Sequence, residues 1–137
     1  QEGKLPKIMV SVPVTAPLRK IVDIENCLDV FATGGVDVVI TVSEAHRNPY
    51  FNMVMSNVDG TVRLVMPPKA GIARRQDAPP VYDMTTVAYV ADPEFVLAHN
   101  SAFEGRVKTV QIPIERAIDI DNLKDFQMAE FLYKQEQ

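Results

Sequence analysis

The sequence predicts an α/β domain with a mostly parallel sheet, and three observations lead to that class. Short, nearly continuous apolar runs alternate with segments whose apolar residues recur at helical spacing. One pair of segments flanks an Asp-Gly turn, which indicates an inserted β-hairpin. The 137 residues are 47% hydrophobic and 23% charged, the size and balance of one globular domain. We therefore treat residues 1–137 as a single domain.

The first part of the chain predicts a strand, a helix and a second strand. Residues 7–12 form an apolar, β-branched run that stops at Pro13, a residue that strand interiors do not tolerate. Apolar side chains then recur at helical spacing over residues 21–31, and two glycines follow as a stop signal. Residues 36–42 are again apolar almost throughout, as in a strand covered on both faces. Strand, helix and strand in this order predict a crossover unit.

The middle of the chain predicts a hairpin arm over about residues 50–80. Residues 51–56 and 61–66 flank Asp59-Gly60, a dipeptide suited to a tight turn between antiparallel strands. An isolated two-stranded ribbon is marginal in water, so this one needs a surface to lie on. The rest of the arm is rich in proline and basic residues and has no regular period, which predicts a loop that partners must order.

The last part of the chain returns to alternating elements. Asp92-Pro93 supplies a helix cap and a proline at the first helical position, and Asn122 with Asp125 supplies a second cap. We expect a strand at 85–91, a short helix at 92–98, a strand at 107–112 and a final helix at 122–134.

Composition excludes several classes of function. A net charge of −4 without any Lys/Arg run argues against a duplex nucleic-acid surface, although a small anionic ligand stays possible. No stretch has the continuous apolar length of a membrane span, and residues 1–7 do not resemble a signal peptide, so we expect a cytoplasmic protein. Cys27 is the single cysteine and lies on the apolar stripe of the first helix, where it fills the core.

Asp119-Ile120-Asp121, between the last strand and the last helix, is the most informative short motif. In extended backbone the two aspartates face one side together while Ile120 turns inward. Two converging carboxylates suit a hard cation such as Mg²⁺, which can also bind phosphate oxygens. The alternative is that Asp119 is a surface acid and Asp121 only caps the final helix. Spacing alone leaves both interpretations open.

Two further segments carry candidate binding residues. Arg74, Arg75 and Gln76 lie in the proline-bounded loop, where adjacent guanidiniums could grip phosphate oxygens or, equally, form a solvated turn. The loop after the first strand contains Thr15, Pro17 and Arg19, and its backbone N–H groups and arginine could meet a nucleotide or form a purely structural turn.

Two histidines have no evident catalytic partner. His46 and His99 lack a matching acid or nucleophile nearby in sequence, and we interpret both as surface or supporting residues.

Taken in order, these segments resemble the acylneuraminate cytidylyltransferases, the CMP-sialic acid synthetases. The agreement spans nearly the whole chain in family order and spacing. The matching segments are Pro17-Leu18-Arg19, Asp23-Ile24, Thr41-Val42-Ser43-Glu44-Ala45, Asn48-Pro49-Tyr50, Arg75-Gln76-Asp77 with Pro79-Pro80-Val81-Tyr82, and Asp119-Ile120-Asp121 with Asp125-Phe126.

The resemblance implies a Rossmann-like nucleotidyltransferase sheet and a reaction between CTP and an acidic nine-carbon sugar. The anomeric hydroxyl of the sugar attacks the α-phosphate and expels pyrophosphate, a reaction that depends on positioning and charge neutralisation. Asp119 and Asp121 match the family's pair of Mg²⁺ ligands, and the arginine motif with Arg74 and Arg75 matches the segment that reaches the triphosphate or product. The resemblance also implies that the hairpin arm joins two copies in a homodimer and carries these arginines to the partner's cleft.

The chain departs from the family pattern at three places. The glycine-rich basic loop that cradles the triphosphate does not occur in the sequence, so we expect the chain alone to be inactive. The usual Gln-Pro-Thr-Ser before Pro17 is replaced by residues 13–16, and the usual Asn-Gly pair is replaced by Thr85-Thr86. Two other functions therefore stay open: a non-catalytic dimerisation and binding module, and a metal-dependent glycosyltransferase.

Overall fold

The computed structural model describes residues 3–67 and 77–135. The chain divides into two compact units, one comprising Gln1–Ser43 with Met84–Gln137 and the other Glu44–Asp83. None of the helices in the described ranges is long and apolar enough to cross a bilayer.

Most of the predicted elements are present, with ends that differ by a few residues. In the part of the chain that the structure describes, the α-helices are α1 (Ile21–Ala32), α2 (Pro93–Ala98) and α3 (Leu123–Gln135). The strands of the same part are β1 (Met9–Ser11), β2 (Val38–Glu44), β3 (Val54–Ser56), β4 (Val62–Leu64), β5 (Tyr82–Ala91) and β6 (Val107–Gln111). Short 3₁₀ turns at Ala102–Glu104 and Ile114–Arg116 lie on either side of β6.

The four-stranded sheet has the order β1-β5-β2-β6 and is mixed. β2 and β6 pair in parallel, whereas β1 and β5 pair antiparallel. β5 also runs opposite to β2, since Asp92 N donates to Asp37 O at 3.0 Å and Ala88 N donates to the Thr41 hydroxyl at 3.2 Å. The prediction of a mostly parallel sheet is therefore wrong.

The described part of the connection between β2 and β5 agrees with the reversed strand. Parallel neighbours need a crossover, usually a helix, that carries the chain back to the edge where the first strand began. The described residues between β2 and β5 contain the β3–β4 hairpin and no α-helix. The hydrogen bonds given above show that β5 starts at the edge where β2 ends and runs back along it. The sequence predicts the hairpin at this position. The direction of β5 depends on how all the strands pair in the sheet, which the sequence pattern does not show.

Both faces of the sheet are covered, as the continuous apolar run of β2 predicts. Val39 lies in a cluster with α1 that includes Cys27, while Val38, Ile40 and Val42 lie in a second cluster with side chains of the α2 region. Burial raises the pKa of the Cys27 thiol to about 11, and the negative charge of Asp23 adds to the rise. Cys27 is fully buried, so its prediction as a core residue is confirmed.

The predicted cap and turn signals are also confirmed. The Asp92 side chain accepts from Glu94 N at 2.8 Å and begins α2. In the smaller unit, β3 and β4 form the predicted antiparallel hairpin. Asp59 accepts from Thr61 N at 3.0 Å in its turn, and Gly60 has a positive φ of 84°, a conformation that favours glycine.

Gly105 tests how tightly the α2 face of the sheet is packed. A Cβ at this position would lie 2.5 Å from the Phe95 ring and 3.1 Å from the Asp37 Cβ. Phe95 itself stacks on His99 with 4.2 Å between ring centroids, so the ring cannot move without losing that contact. We predict that Gly105→Ala lowers the free energy of unfolding by about 1–3 kcal/mol, measured by urea denaturation.

Gly3→Ala is the matched control, because nothing lies within 4 Å of a Cβ at that position. It should leave the unfolding midpoint unchanged. Equal midpoints for Gly105→Ala and the wild type would contradict the packing described here.

Candidate functional site

The candidate site lies at the carboxyl edge, the edge of the sheet at which β1, β2 and β6 all end. β1 and β6 are the two outer strands of the four-stranded sheet. The segment that follows β6 therefore runs along the carboxyl edge, past β2 and β5, to reach the loop after β1. Ile112 N donates to Val42 O at 2.7 Å near the start of the crossing, and Ile120 N donates to Thr15 O at 2.8 Å near its end. The loop that contains Thr15 and the motif around Ile120, which lie about a hundred residues apart in the sequence, thus meet at one edge.

The loop after β1 is an ordered turn whose arginine is partly buried. Ala16 is completely buried in the α1 cluster, which anchors the loop. The Arg19 guanidinium donates through one Nη to Pro13 O, while its Nε is buried without a hydrogen-bond partner among the described residues. Burial lowers the pKa of the Arg19 guanidinium below its ordinary value. The Nε–H group of Arg19 is therefore an unused hydrogen-bond donor at this edge. Pro17, in the same loop, lines a groove.

A buried ion pair connects α1 to the crossing segment. Asp23, in the first turn of α1, is only 1% exposed, and its carboxylate accepts from Arg116 Nη2 at 2.6 Å and Nε at 3.1 Å. The same carboxylate accepts from Lys20 N at 2.8 Å. A forked arginine–carboxylate pair with an extra backbone donor leaves little freedom to either partner. The pair holds the crossing segment three residues before Asp119.

In the Asp119-Ile120-Asp121 motif, the first two residues are partly buried and the third is exposed. Ile120 lines a groove of about 250 Å³ together with Pro17, Leu18 and side chains of α3. Asp119 is partly buried, and its Oδ1 has no hydrogen-bond partner within the described ranges. Burial raises the pKa of the Tyr89 phenol, and the negative charge of Asp119 raises it further.

Asp121 is exposed, and its carboxylate is not the cap of the last helix. The capping oxygen is Asn122 Oδ1, which accepts from Lys124 N at 2.8 Å. Asp121 contributes only its backbone N–H, which donates to Asp125 Oδ2 at 3.1 Å. The alternative interpretation of Asp121 as a helix cap is therefore wrong, and its carboxylate stays available for another role.

The donor set at this edge fits a cation that takes few protein ligands. Within residues 3–67 and 77–135 no group of three or more His, Cys, Asp or Glu side chains could hold a metal ion. A pair of carboxylates can still bind Mg²⁺, which usually retains several waters and completes its shell with substrate phosphates. The unpartnered oxygen of Asp119 is consistent with such a ligand.

The other sequence candidates have different outcomes. Arg74, Arg75 and Gln76 lie outside the described residues. His99 stacks on Phe95 and its Nδ1 lies 3.0 Å from Phe95 O, so it has a structural role at the end of α2. His46 is exposed in the smaller unit, which agrees with its interpretation as a surface residue.

Sequence reasoning missed the ion pair between Asp23 and Arg116. A signal for it is present, because Asp23 lies four residues before Cys27 and therefore on the same, buried face of the helix. An acid at a buried helix position needs a cationic partner, but nothing in the sequence indicates that this partner lies 93 residues away.

Comparison with known proteins identifies the relatives of this chain. No protein-family model matches it. It is 32% identical to the post-translational flagellin modification protein B of Campylobacter coli over 93% of this chain and 53% of that protein. It is 33% identical to the CMP-N,N'-diacetyllegionaminic acid synthase of Campylobacter jejuni over 69% of this chain and 39% of that protein. The N-acylneuraminate cytidylyltransferase of Streptococcus agalactiae serotype V is 29% identical over 82% of this chain and 27% of its own length.

The chain is a relative of the acylneuraminate cytidylyltransferases. The predicted resemblance is thereby confirmed, and the chain spans about half or less of the length of these curated relatives, 27–53%. A solved structure supports the fold independently: the 4-diphosphocytidyl-2C-methyl-D-erythritol synthase of Anaerococcus prevotii superposes with a TM-score of 0.62 at 15% identity. The superposition covers 96% of this chain and 59% of that protein, so the two share a fold over these residues.

The ion pair between Asp23 and Arg116 generates a prediction about stability. Arg116→Ala leaves a carboxylate buried without its main cationic partner, so we expect the free energy of unfolding to fall by roughly 3 kcal/mol or more in urea denaturation.

The matched control is Arg106→Ala. Arg106 also donates two side-chain hydrogen bonds to an aspartate, Asp37, but this pair lies at the surface, and the Arg106 side chain is 69% exposed. Water screens that pair, and its loss should have a much smaller effect. Similar losses in the two variants would show that burial of Asp23 does not matter.

Proposed function

We propose that the protein containing this chain is a cytidylyltransferase that transfers CMP from CTP to an acidic nine-carbon sugar and releases pyrophosphate. The observation that carries the proposal is the meeting of the Arg19 loop and the Asp119 motif at the carboxyl edge, in a chain related to such enzymes. CTP is available in the cytoplasm, and we place the reaction there.

Asp119 and Asp121 are proposed to bind Mg²⁺. The bound ion would supply charge neutralisation on the triphosphate and the departing pyrophosphate. The protein's own contribution is positioning: the hydrogen bond from Ile120 N to Thr15 O fixes the backbone between the two acids at 2.8 Å. Ile120 lines the groove beside the motif together with Pro17 and Leu18.

The remaining candidates are proposed to bind substrate. Arg19, with its unpaired Nε, and the backbone at Thr15 and Pro17 would contact the nucleotide or sugar at the carboxyl edge. Arg74, Arg75 and Gln76 would grip phosphate oxygens, as forked guanidiniums do in other proteins. Because the chain spans only part of its relatives and its sequence lacks their glycine-rich triphosphate loop, we propose that it is inactive alone.

The metal proposal predicts the behaviour of two variants of the complete protein. Asp119→Ala and Asp121→Ala should each lower kcat/KM at least about 100-fold, because each removes a ligand of the charge-neutralising ion. Pyrophosphate release from CTP and N-acetylneuraminic acid, titrated with Mg²⁺, measures the effect, and higher Mg²⁺ should restore part of the activity.

Asp29→Ala, which removes an exposed acid on α1, is the control and should keep full activity. Unchanged activity in Asp121→Ala would reject the metal role. A wild-type protein that releases no pyrophosphate with any acidic sugar would reject the cytidylyltransferase itself.

The hairpin is proposed to be a dimerisation arm. Its exposed apolar side chains include Val54 at 59%, Val62 at 61% and Val58, which is fully exposed at the turn. Two short strands cannot form a core of their own, so a second copy is the natural cover for these side chains.

The arm predicts the oligomeric state. The chain should sediment as a dimer at micromolar concentration, and Val54→Asp should convert it to a monomer by placing a charge in the apolar interface. Leu97→Asp, at a side chain that is 73% exposed on α2, should stay dimeric. A monomeric wild type would contradict the arm.

A further inference from the structure

The segment that joins β6 to α3 contains Asp119, and the contacts of this segment determine where that acid lies. At its start, Ile112 is 1% exposed and its N–H donates to a carbonyl of β2 at 2.7 Å. A 3₁₀ turn that ends at Arg116 follows. Ile120 N then donates to a carbonyl of the Arg19 loop at 2.8 Å. Between these two backbone hydrogen bonds, the side chain of Arg116 contacts α1.

One atom, Asp23 Oδ2, joins the two parts of the candidate site. It accepts from Arg116 Nε at 3.1 Å and from Lys20 N at 2.8 Å. Asp23 Oδ1 accepts from Arg116 Nη2 at 2.6 Å, which completes a forked pair. Lys20 directly follows Arg19, and Arg116 precedes Asp119 by three residues. A single carboxylate therefore connects the end of the Arg19 loop to the segment that contains Asp119.

Stability alone does not explain why this contact is ionic. Asp23 is 1% exposed, and the cost of removing two charges from water offsets most of their attraction, so well-packed apolar side chains are often equally stable at such positions. A forked guanidinium–carboxylate pair differs from apolar packing because two parallel hydrogen bonds fix both the distance and the angle between the partners. Arg116 and Asp23 therefore define a relative position more sharply than a hydrophobic contact does.

A second arginine–aspartate fork lies at the opposite edge of the sheet and offers an internal comparison. Asp37 directly precedes β2 and Arg106 directly precedes β6, so this pair lies where both strands begin. Arg106 Nε and Nη2 donate to Asp37 at 3.2 and 3.1 Å, but the Arg106 side chain is 69% exposed. The two pairs have the same chemistry, and they differ in burial and in their distance along the chain from Asp119.

We propose that Arg116 and Asp23 are positioning residues of the proposed Mg²⁺ site, and that their fork places Asp119 beside the Arg19 loop. This inference rests on the proposed cytidylyltransferase function. Asp119 Oδ1 has no hydrogen-bond partner in the described part of the chain, so the backbone that the fork anchors has to place this oxygen. Residues that orient metal ligands without touching the ion change metal affinity about 10–100-fold when they are replaced.

Metal binding by the complete protein tests this role without turnover. Arg116→Lys keeps the positive charge and removes the fork, so the Kd for Mn²⁺, used in place of Mg²⁺ and measured by electron paramagnetic resonance, should rise about tenfold. The Mg²⁺ concentration that half-saturates pyrophosphate release should rise by a similar factor, while the KM for CTP at saturating Mg²⁺ should not change. Arg106→Lys makes the same change in the surface pair and should leave these values unchanged.

Unfolding in urea separates positioning from stability. A purely structural role of Arg116 predicts a lower unfolding midpoint with an unchanged Mn²⁺ Kd for the folded protein, and that result would overturn the proposal. If Arg116→Lys does not fold, Asp23→Asn replaces it, with the same expected rise in Kd and the same contrary result.

Double-mutant cycles test the route through which Arg116 acts. Arg116→Lys should not raise the Mn²⁺ Kd further in the Asp23→Asn background or in the Asp119→Ala background, because the effect of Arg116 passes through both residues. Additive changes in either background would contradict the positioning role.

Failure of the proposed function gives a different result from failure of the positioning role. A wild-type protein that binds Mn²⁺ and releases no pyrophosphate rejects the cytidylyltransferase, and the Mn²⁺ Kd of Arg116→Lys still decides the positioning role. A wild-type protein that does not bind Mn²⁺ overturns the positioning role, whereas pyrophosphate release by the same protein would support the transferase.

Discussion

The buried ion pair between Asp23 and Arg116 is the constraint on which the candidate site depends. It joins the beginning of α1 to the segment that follows β6, at distances of 2.6 and 3.1 Å, and Asp23 is almost completely removed from water. A charge in that position has to be paired, so the chain cannot relax to an arrangement in which the two elements separate. The position of Asp119 relative to the Arg19 loop follows from this pairing.

The mixed sheet places the Arg19 loop and the Asp119 motif at one edge. β1 and β6 point to one edge from opposite sides of the sheet, which makes the following segment cross that edge and bring Ile120 to Thr15. β5 lies between β1 and β2 and runs in the opposite direction, so it starts at the edge where they end.

The local elements could be predicted because their signals are contained in a few residues. The Asp92 cap, the Asp59-Gly60 turn and the apolar run of β2 each specify a conformation through nearby atoms, and the structure confirms them. Strand direction was predicted wrongly at β5, because the residue pattern of a strand does not specify the direction in which the chain enters the sheet. The alternative role of Asp121 as a cap failed for a similar reason, since Asn122 competes for that position with better geometry.

By itself the sequence determined the elements, their caps, the family relationship and the identity of the acids and arginines, because residue type and short spacing carry that information. Only the tertiary structure decided which of them meet. The partner of Asp23 lies 93 residues away, and the hydroxyl of Thr41 meets Thr85 across 44 residues. Such pairings depend on the order and direction of the strands. Burial of the whole core determines that order, and no local sequence pattern specifies it.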